Sequence, residues 1–109
     1  MDIRQKIWLE KDGHVVFGKG REELLRAIDE CKSLSAAVKK VGISYRGAWG
    51  RLKASEERLN IKLVEPYGKG MCLTAKGKAL LEEYDQMVKD MDSVLNKSIA
   101  RFRQIAESK

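Results

Sequence analysis

One histidine, one proline and two cysteines are spread over 109 residues, and each scarcity removes a class of function. A lone histidine, His14, cannot supply the base–nucleophile pair or the ligand cluster that hydrolytic and metal chemistry need. It reads as a surface strand residue, so no catalytic residue, metal ligand or cofactor is expected. Cys31 and Cys72 have neither the CxxC spacing of a metal site nor the density of a disulfide framework. They read as reduced thiols of a cytoplasmic protein. Apolar runs never exceed three residues, too short to cross a membrane. Asp2, Arg4 and Lys6 interrupt any amino-terminal signal core. The Gly-Lys-Gly segments at 18–20 and 68–70 lack the length and trailing Ser or Thr of a phosphate-cradling loop. The acid pairs Glu22-Glu23, Glu56-Glu57 and Glu82-Glu83 read as solvated helix faces.

Charge is distributed unevenly. The chain carries a formal net charge of +6, with residues 1–79 holding 17 Lys and Arg against 10 Asp and Glu, and residues 80–109 holding 5 against 6. The positive excess belongs to the first part of the chain and suits a polyanionic partner, because phosphate contacts by Lys and Arg release counterions. Between Lys39 and Ser55 there are five basic residues (Lys39, Lys40, Arg46, Arg51 and Lys53) and no acid.

Along the chain, Asp12-Gly13 between two apolar runs is a hairpin signal that predicts strands near 5–10 and 14–17. A helix follows from about Arg21 to Lys32, with Leu24, Leu25 and Ile28 on one stripe. A second helix is expected from about Ser35 to Val41 and a third from about Ser44 to Leu59. Between them Gly42 supplies the turn, and Ala36 and Ala37 allow close helix approach. This is the spacing of a helix-turn-helix, whose second helix reads the DNA major groove. Extended pieces at 62–65 and 71–73 flank Pro66-Tyr67-Gly68-Lys69-Gly70, the expected shape of a wing. Thr74 then caps a helix running almost to the end, with no proline or glycine after Gly77. Leu81, Tyr84, Val88, Met91, Leu95, Ser98, Phe102 and Ile105 alternate three and four residues apart, an a/d seam broken only by Ser98. The fold expected is α+β and mainly helical: residues 1–74 form a winged helix-turn-helix head with an amino-terminal β-hairpin, and residues 75–109 a long dimerisation helix.

On the third helix, Trp49, Leu52 and Leu59 are expected to pack inward with Ala48. Ser44 is placed to cap the helix, and Tyr45 can reach a phosphate or fill a half-buried site. Arg46 lies in the first turn, where it can grip guanine bidentately. Gly47 and Gly50 each cost about 1 kcal/mol of helix propensity, which points either to close backbone approach to DNA or to close helix packing. The DNA-binding candidates are Ser35, Lys39, Lys40, Ser44, Tyr45, Arg46, Gly47, Gly50, Arg51, Lys53 and, on the wing, Lys69. A helix with such a stripe is not stable alone in water; it either folds back over the head or pairs with a second copy. Because the seam extends past what a small head can cover, Leu81, Tyr84, Val88, Met91, Leu95, Phe102 and Ile105 are the dimer candidates.

Ser35, Ala36, Ala37, Gly42, Ile43, Ser44, Tyr45, Ala48 and Trp49 resemble the amino-terminal DNA-binding domain of the molybdate-responsive repressor family (ModE), and more distantly the LysR family. The resemblance runs from about Lys6 to Tyr84. It takes in the LEKDG hairpin, the LL-AID pattern at Leu24–Asp29 and LTAKGKALL at 73–81. It implies a wing in which Lys69 meets a phosphate or the minor groove, although the family wing is often longer and richer in glycine. It also implies a homodimer pairing through helices beside the head, on palindromic double-stranded DNA. Full-length members carry a second, oxyanion-binding region; no molybdate site is evident in this sequence, and molybdate sensing is not carried over. The expected function is a sequence-specific, homodimeric DNA-binding transcriptional regulator. The alternative is a winged-helix protein–protein adaptor.

Overall fold

The computed structural model describes residues 1–108 in the order β1 (Leu9–Lys11), β2 (His14–Phe17), α1 (Lys19–Cys31), α2 (Leu34–Val41), α3 (Tyr45–Leu59), β3 (Val64–Tyr67), β4 (Gly70–Leu73) and α4 (Ala75–Glu107). The architecture is the winged helix-turn-helix expected, with α1 against α2 and α3 and two small antiparallel hairpins.

The first hairpin turns on Asp12 and Gly13, both at positive φ (53° and 80°), as a two-residue turn between twisted strands requires. Its register pairs Glu10 with Val15 and Lys11 with His14, and shifts between Leu9 and Glu10. The strand expected over 5–10 is therefore shorter and begins at Leu9. Residues before it take another path: the Ile7 carbonyl accepts from the Tyr84 hydroxyl at 2.8 Å, and the Met1 carbonyl from Arg103 at 3.3 Å. The chain before β1 thus lies along α4 instead of pairing in a sheet.

Helix α2 starts one residue earlier than its sequence suggests. Ser33 caps it by accepting from the Ala36 N–H at 3.2 Å, and this register buries Leu34. Gly42 ends α2 at φ 82°. Ser44 caps α3 as expected, accepting from the Gly47 N–H at 3.0 Å. Strands β3 and β4 extend closer to their tip than expected, pairing Tyr67 with Gly70. Only Gly68-Lys69 remains to form the wing turn.

Two glycines hold the wing against the helices. The N–H of Met71 donates to the Lys32 carbonyl at 2.9 Å, and a Cβ at neighbouring Gly70 would collide with that same carbonyl oxygen. Thr74 caps α4 through the Gly77 N–H (3.0 Å), while its hydroxyl donates to the Lys62 carbonyl (2.6 Å). This brings α4 so close to the 62–64 segment that a Cβ at Gly77 would collide with the Leu63 carbonyl oxygen.

Phe17, Leu24, Leu25, Ile28, Ala37, Ala48, Leu52 and Leu63 form the centre of the core. Leu81 and Tyr84 join it, at 5% and 7% exposure, and the Tyr84 ring meets Phe17 edge-on at 5.1 Å between centroids. These two residues were expected on the dimer seam. They are corrected to the head, since a side chain spent on its own core has no face left for a partner. Val88 is partly packed against the same core, whereas Met91, Val94, Phe102 and Ile105 are exposed. Among the described residues no helix is long and apolar enough to cross a membrane.

Candidate nucleic-acid interface

Helix α3 buries Ala48, Leu52, Ser55 and Glu56 and turns Tyr45, Arg46, Trp49 and Gly50 to solvent. Trp49 is therefore a correction: at 41% exposure it is outside the core. Leu59 is only half-buried. The inward face is completed instead by polar groups. The Ser55 hydroxyl accepts from Arg21 Nε at 2.7 Å. Glu56, expected on a solvated face, is 5% exposed and accepts from the N–H groups of Leu63 (2.8 Å) and Val64 (3.4 Å) and from Lys53 (3.1 Å). Burial pushes the Glu56 carboxyl up, but the Leu63 N–H and Lys53, with Val64, outweigh it and hold the carboxyl below its ordinary value.

The candidate contacts fall into distinct settings. Tyr45 (51% exposed), Arg46 and Gly50 are open to solvent, as are Ser35 and Lys39 on α2 and Lys69 at the wing tip. Lys40 is exposed but salt-bridged to Glu30 of α1, whose hydrogen bond raises the lysine's pKa. Lys53 is half-buried between Glu56 and the Trp49 ring, its ammonium 4.4 Å from the ring centroid. Arg51 lies on the flank of α3 that faces the start of α1, its guanidinium 3.9 Å from the position a Cβ on Gly20 would take. Arg21 and Arg58, which the sequence did not single out, stand near it. Burial first, then the charges of Arg58 and Arg51, lowers the pKa of Arg21. Arg58 is tied down by donating to the Val15 carbonyl at 2.6 Å. No ion pair among the described residues involves any of these three arginines.

The two α3 glycines separate. A Cβ at Gly47 would sit 2.9 Å from the Ser44 hydroxyl, so Gly47 makes room for the cap. Gly50 has nothing within 4 Å, which removes helix packing as its reason. Gly50→Ala is expected to raise stability by up to about 1 kcal/mol, checked by thermal unfolding. Among the described residues no group of three or more His, Cys, Asp or Glu is placed to hold a metal, and Cys31 and Cys72 are free thiols.

A recognition helix carried by α1 and α2, followed by a two-stranded wing, defines the winged helix-turn-helix class. Residues 22–78 match the family described as bacterial regulatory helix-turn-helix protein, lysR family. The chain belongs to that family, one of regulators and not of enzymes. It is 38% identical over 81 residues to the molybdenum-pterin-binding protein MopB of Rhodobacter capsulatus, covering 70% of this chain and 30% of that protein. It is 34% identical over 70 residues to the transcriptional regulator ModE of Haemophilus influenzae, covering 60% of this chain and 28% of that protein. The chain thus spans less than a third of the length of these curated relatives. In the crystal structure of a CbnR DBD–DNA complex, the chain matches with a TM-score of 0.59 at 26% identity, covering 81% of this chain and 97% of that one.

Proposed function

We propose that this chain is a sequence-specific reader of double-stranded DNA that acts as a homodimer in transcriptional regulation, in the cytoplasm. The observation that carries the reading is the outward face of α3, where Arg46 and open Gly50 stand exposed within a stretch free of acids. Arg46 reads a base edge in the major groove, Gly50 lets the helix backbone come close, and Tyr45, Ser35 and Lys39 contact phosphates. Ser44 and Gly47 set the start of the helix, and Arg51 supports its flank. Lys40 and Lys53, already paired with carboxylates, contribute less than the sequence suggests. Lys69 extends the contact from the wing. Residues 1–74 are the head, and residues 75–109 the dimerisation helix, whose first turns are shared with the head's core. Val88, Met91, Leu95, Phe102 and Ile105, with Val94 beside them, pair with a second copy.

Selection of bound duplexes from a random pool, at two salt concentrations, tests this. The expected product is an inverted repeat that survives the higher salt, with half-sites about one helical turn apart. Arg46→Ala should bind that site about tenfold more weakly while melting within about 3 °C of the wild type. Gly50→Ala should also bind it more weakly, although the variant is the more stable protein. Enrichment of nothing, with binding lost as salt rises, would leave phosphate attraction alone and favour the adaptor reading.

A further inference from the structure

We infer that Trp49 is a sequence-specificity residue that reads thymine through its 5-methyl group; this rests on the DNA-binding reading above. Trp49 is an aromatic side chain with no place in the core, 41% exposed in the second turn of the recognition helix. Its position is fixed. Lys53 lies over the ring at 4.4 Å, and Lys53 is itself held by Glu56 at 3.1 Å, a carboxylate anchored in turn by the backbone of Leu63 and Val64. A chain of contacts from the β3 segment therefore orients the indole, which saves the entropy of ordering it on binding. Tyr45, four residues earlier and on the same helix face, extends the surface into a two-ring ledge at 51% exposure.

Next to Trp49 in the chain, Gly50 leaves open space, so a base pair can come close to the helix there, with Lys53 over one face of the ring. In the major groove the thymine methyl is the one apolar feature a base edge offers. An oriented, half-exposed indole suits that methyl better than it suits a phosphate or a polar base edge.

The selected duplex supplies the test. Each thymine of the enriched site is replaced in turn by deoxyuridine, which lacks only the methyl. Wild type should lose about fourfold in affinity at one thymine per half-site, the loss of about one buried methyl. Trp49→Ala should melt like the wild type and bind thymine and deoxyuridine equally at that position. Random-pool selection with Trp49→Ala should relax the preference there and leave the Arg46-dependent positions intact. Deoxyuridine without effect on wild type at every position, or the same loss in Trp49→Ala, would overturn the role of the indole while leaving the DNA-binding reading standing. Failure of wild type to select any sequence would overturn both.

Discussion

Gly77→Ala is expected to lower the melting temperature by at least about 12 °C, a loss on the order of 3 kcal/mol. Local propensity predicts the opposite sign. Gly77 is in the first turn of α4, and alanine is favoured over glycine within helices by about 1 kcal/mol. Packing decides against propensity here. The new Cβ would collide with the Leu63 carbonyl oxygen and lie 3.0 Å from its carbonyl carbon. That carbonyl also accepts from the Thr74 N–H at 3.0 Å. Neither atom can yield cheaply, because both are backbone fixed by the cap of α4. Thermal unfolding of Gly77→Ala beside Gly50→Ala gives an internal control: the same substitution in two helices should move stability in opposite directions. A Gly77→Ala protein melting at or above the wild type would show that α4 does not seat on Leu63 in this way.

Glu56→Ala is expected to cost about 2–3 kcal/mol, because it strands the Leu63 and Val64 N–H groups without an acceptor and leaves Lys53 unpaired. The site also makes stability depend on pH. Net hydrogen bonding holds the folded-state carboxyl below its ordinary 4.5, so the unfolded chain takes up the proton first as acid is added. The stabilisation is therefore complete above about pH 5 and disappears as the pH falls through the folded-state value. Denaturant unfolding from pH 7 to pH 3 should show wild type and Glu56→Gln converging towards the acid end. A gap constant over that range would show that the carboxyl titrates alike in the folded and unfolded chain, so that these hydrogen bonds do not lower it.

Turn and cap chemistry made much of this fold legible, because those signals are local. Asp12-Gly13, Gly42, Ser44 and Thr74 each perform the role their residue type suggests. The misreadings share a different origin. Counting apolar residues placed Trp49 inside and Glu56 outside, whereas α3 buries Ser55 and Glu56 against Arg21 and the β3 segment. No periodicity in α3 announces that an N–H pair twenty-odd ångströms of chain away will demand a carboxylate. The start of the α4 seam was misplaced for a related reason. Leu81 and Tyr84 are in phase with Val88 to Ile105, so spacing alone cannot mark where the head's own core ends. At α2 two serines flank Leu34, and Ser33 is the cap in the register that buries that leucine.

The way α4 is seated gives the molecule a mechanical property. Its 33 residues make a rod about 50 Å long, clamped at one end by Gly77, Leu81 and Tyr84 and running on for about 30 Å beyond Val88, where the chain before β1 lies along it as far as the Arg103 bond to the Met1 carbonyl. In the proposed dimer, this rod is a lever between two reading heads. A tilt of about 6° at the clamp moves its far end by about 3.4 Å, the rise of one base pair. The stiffness of the Gly77–Leu63 seat would then help set how strictly the dimer measures the spacing between half-sites, and loosening that seat would blur the ruler before it unfolded the head.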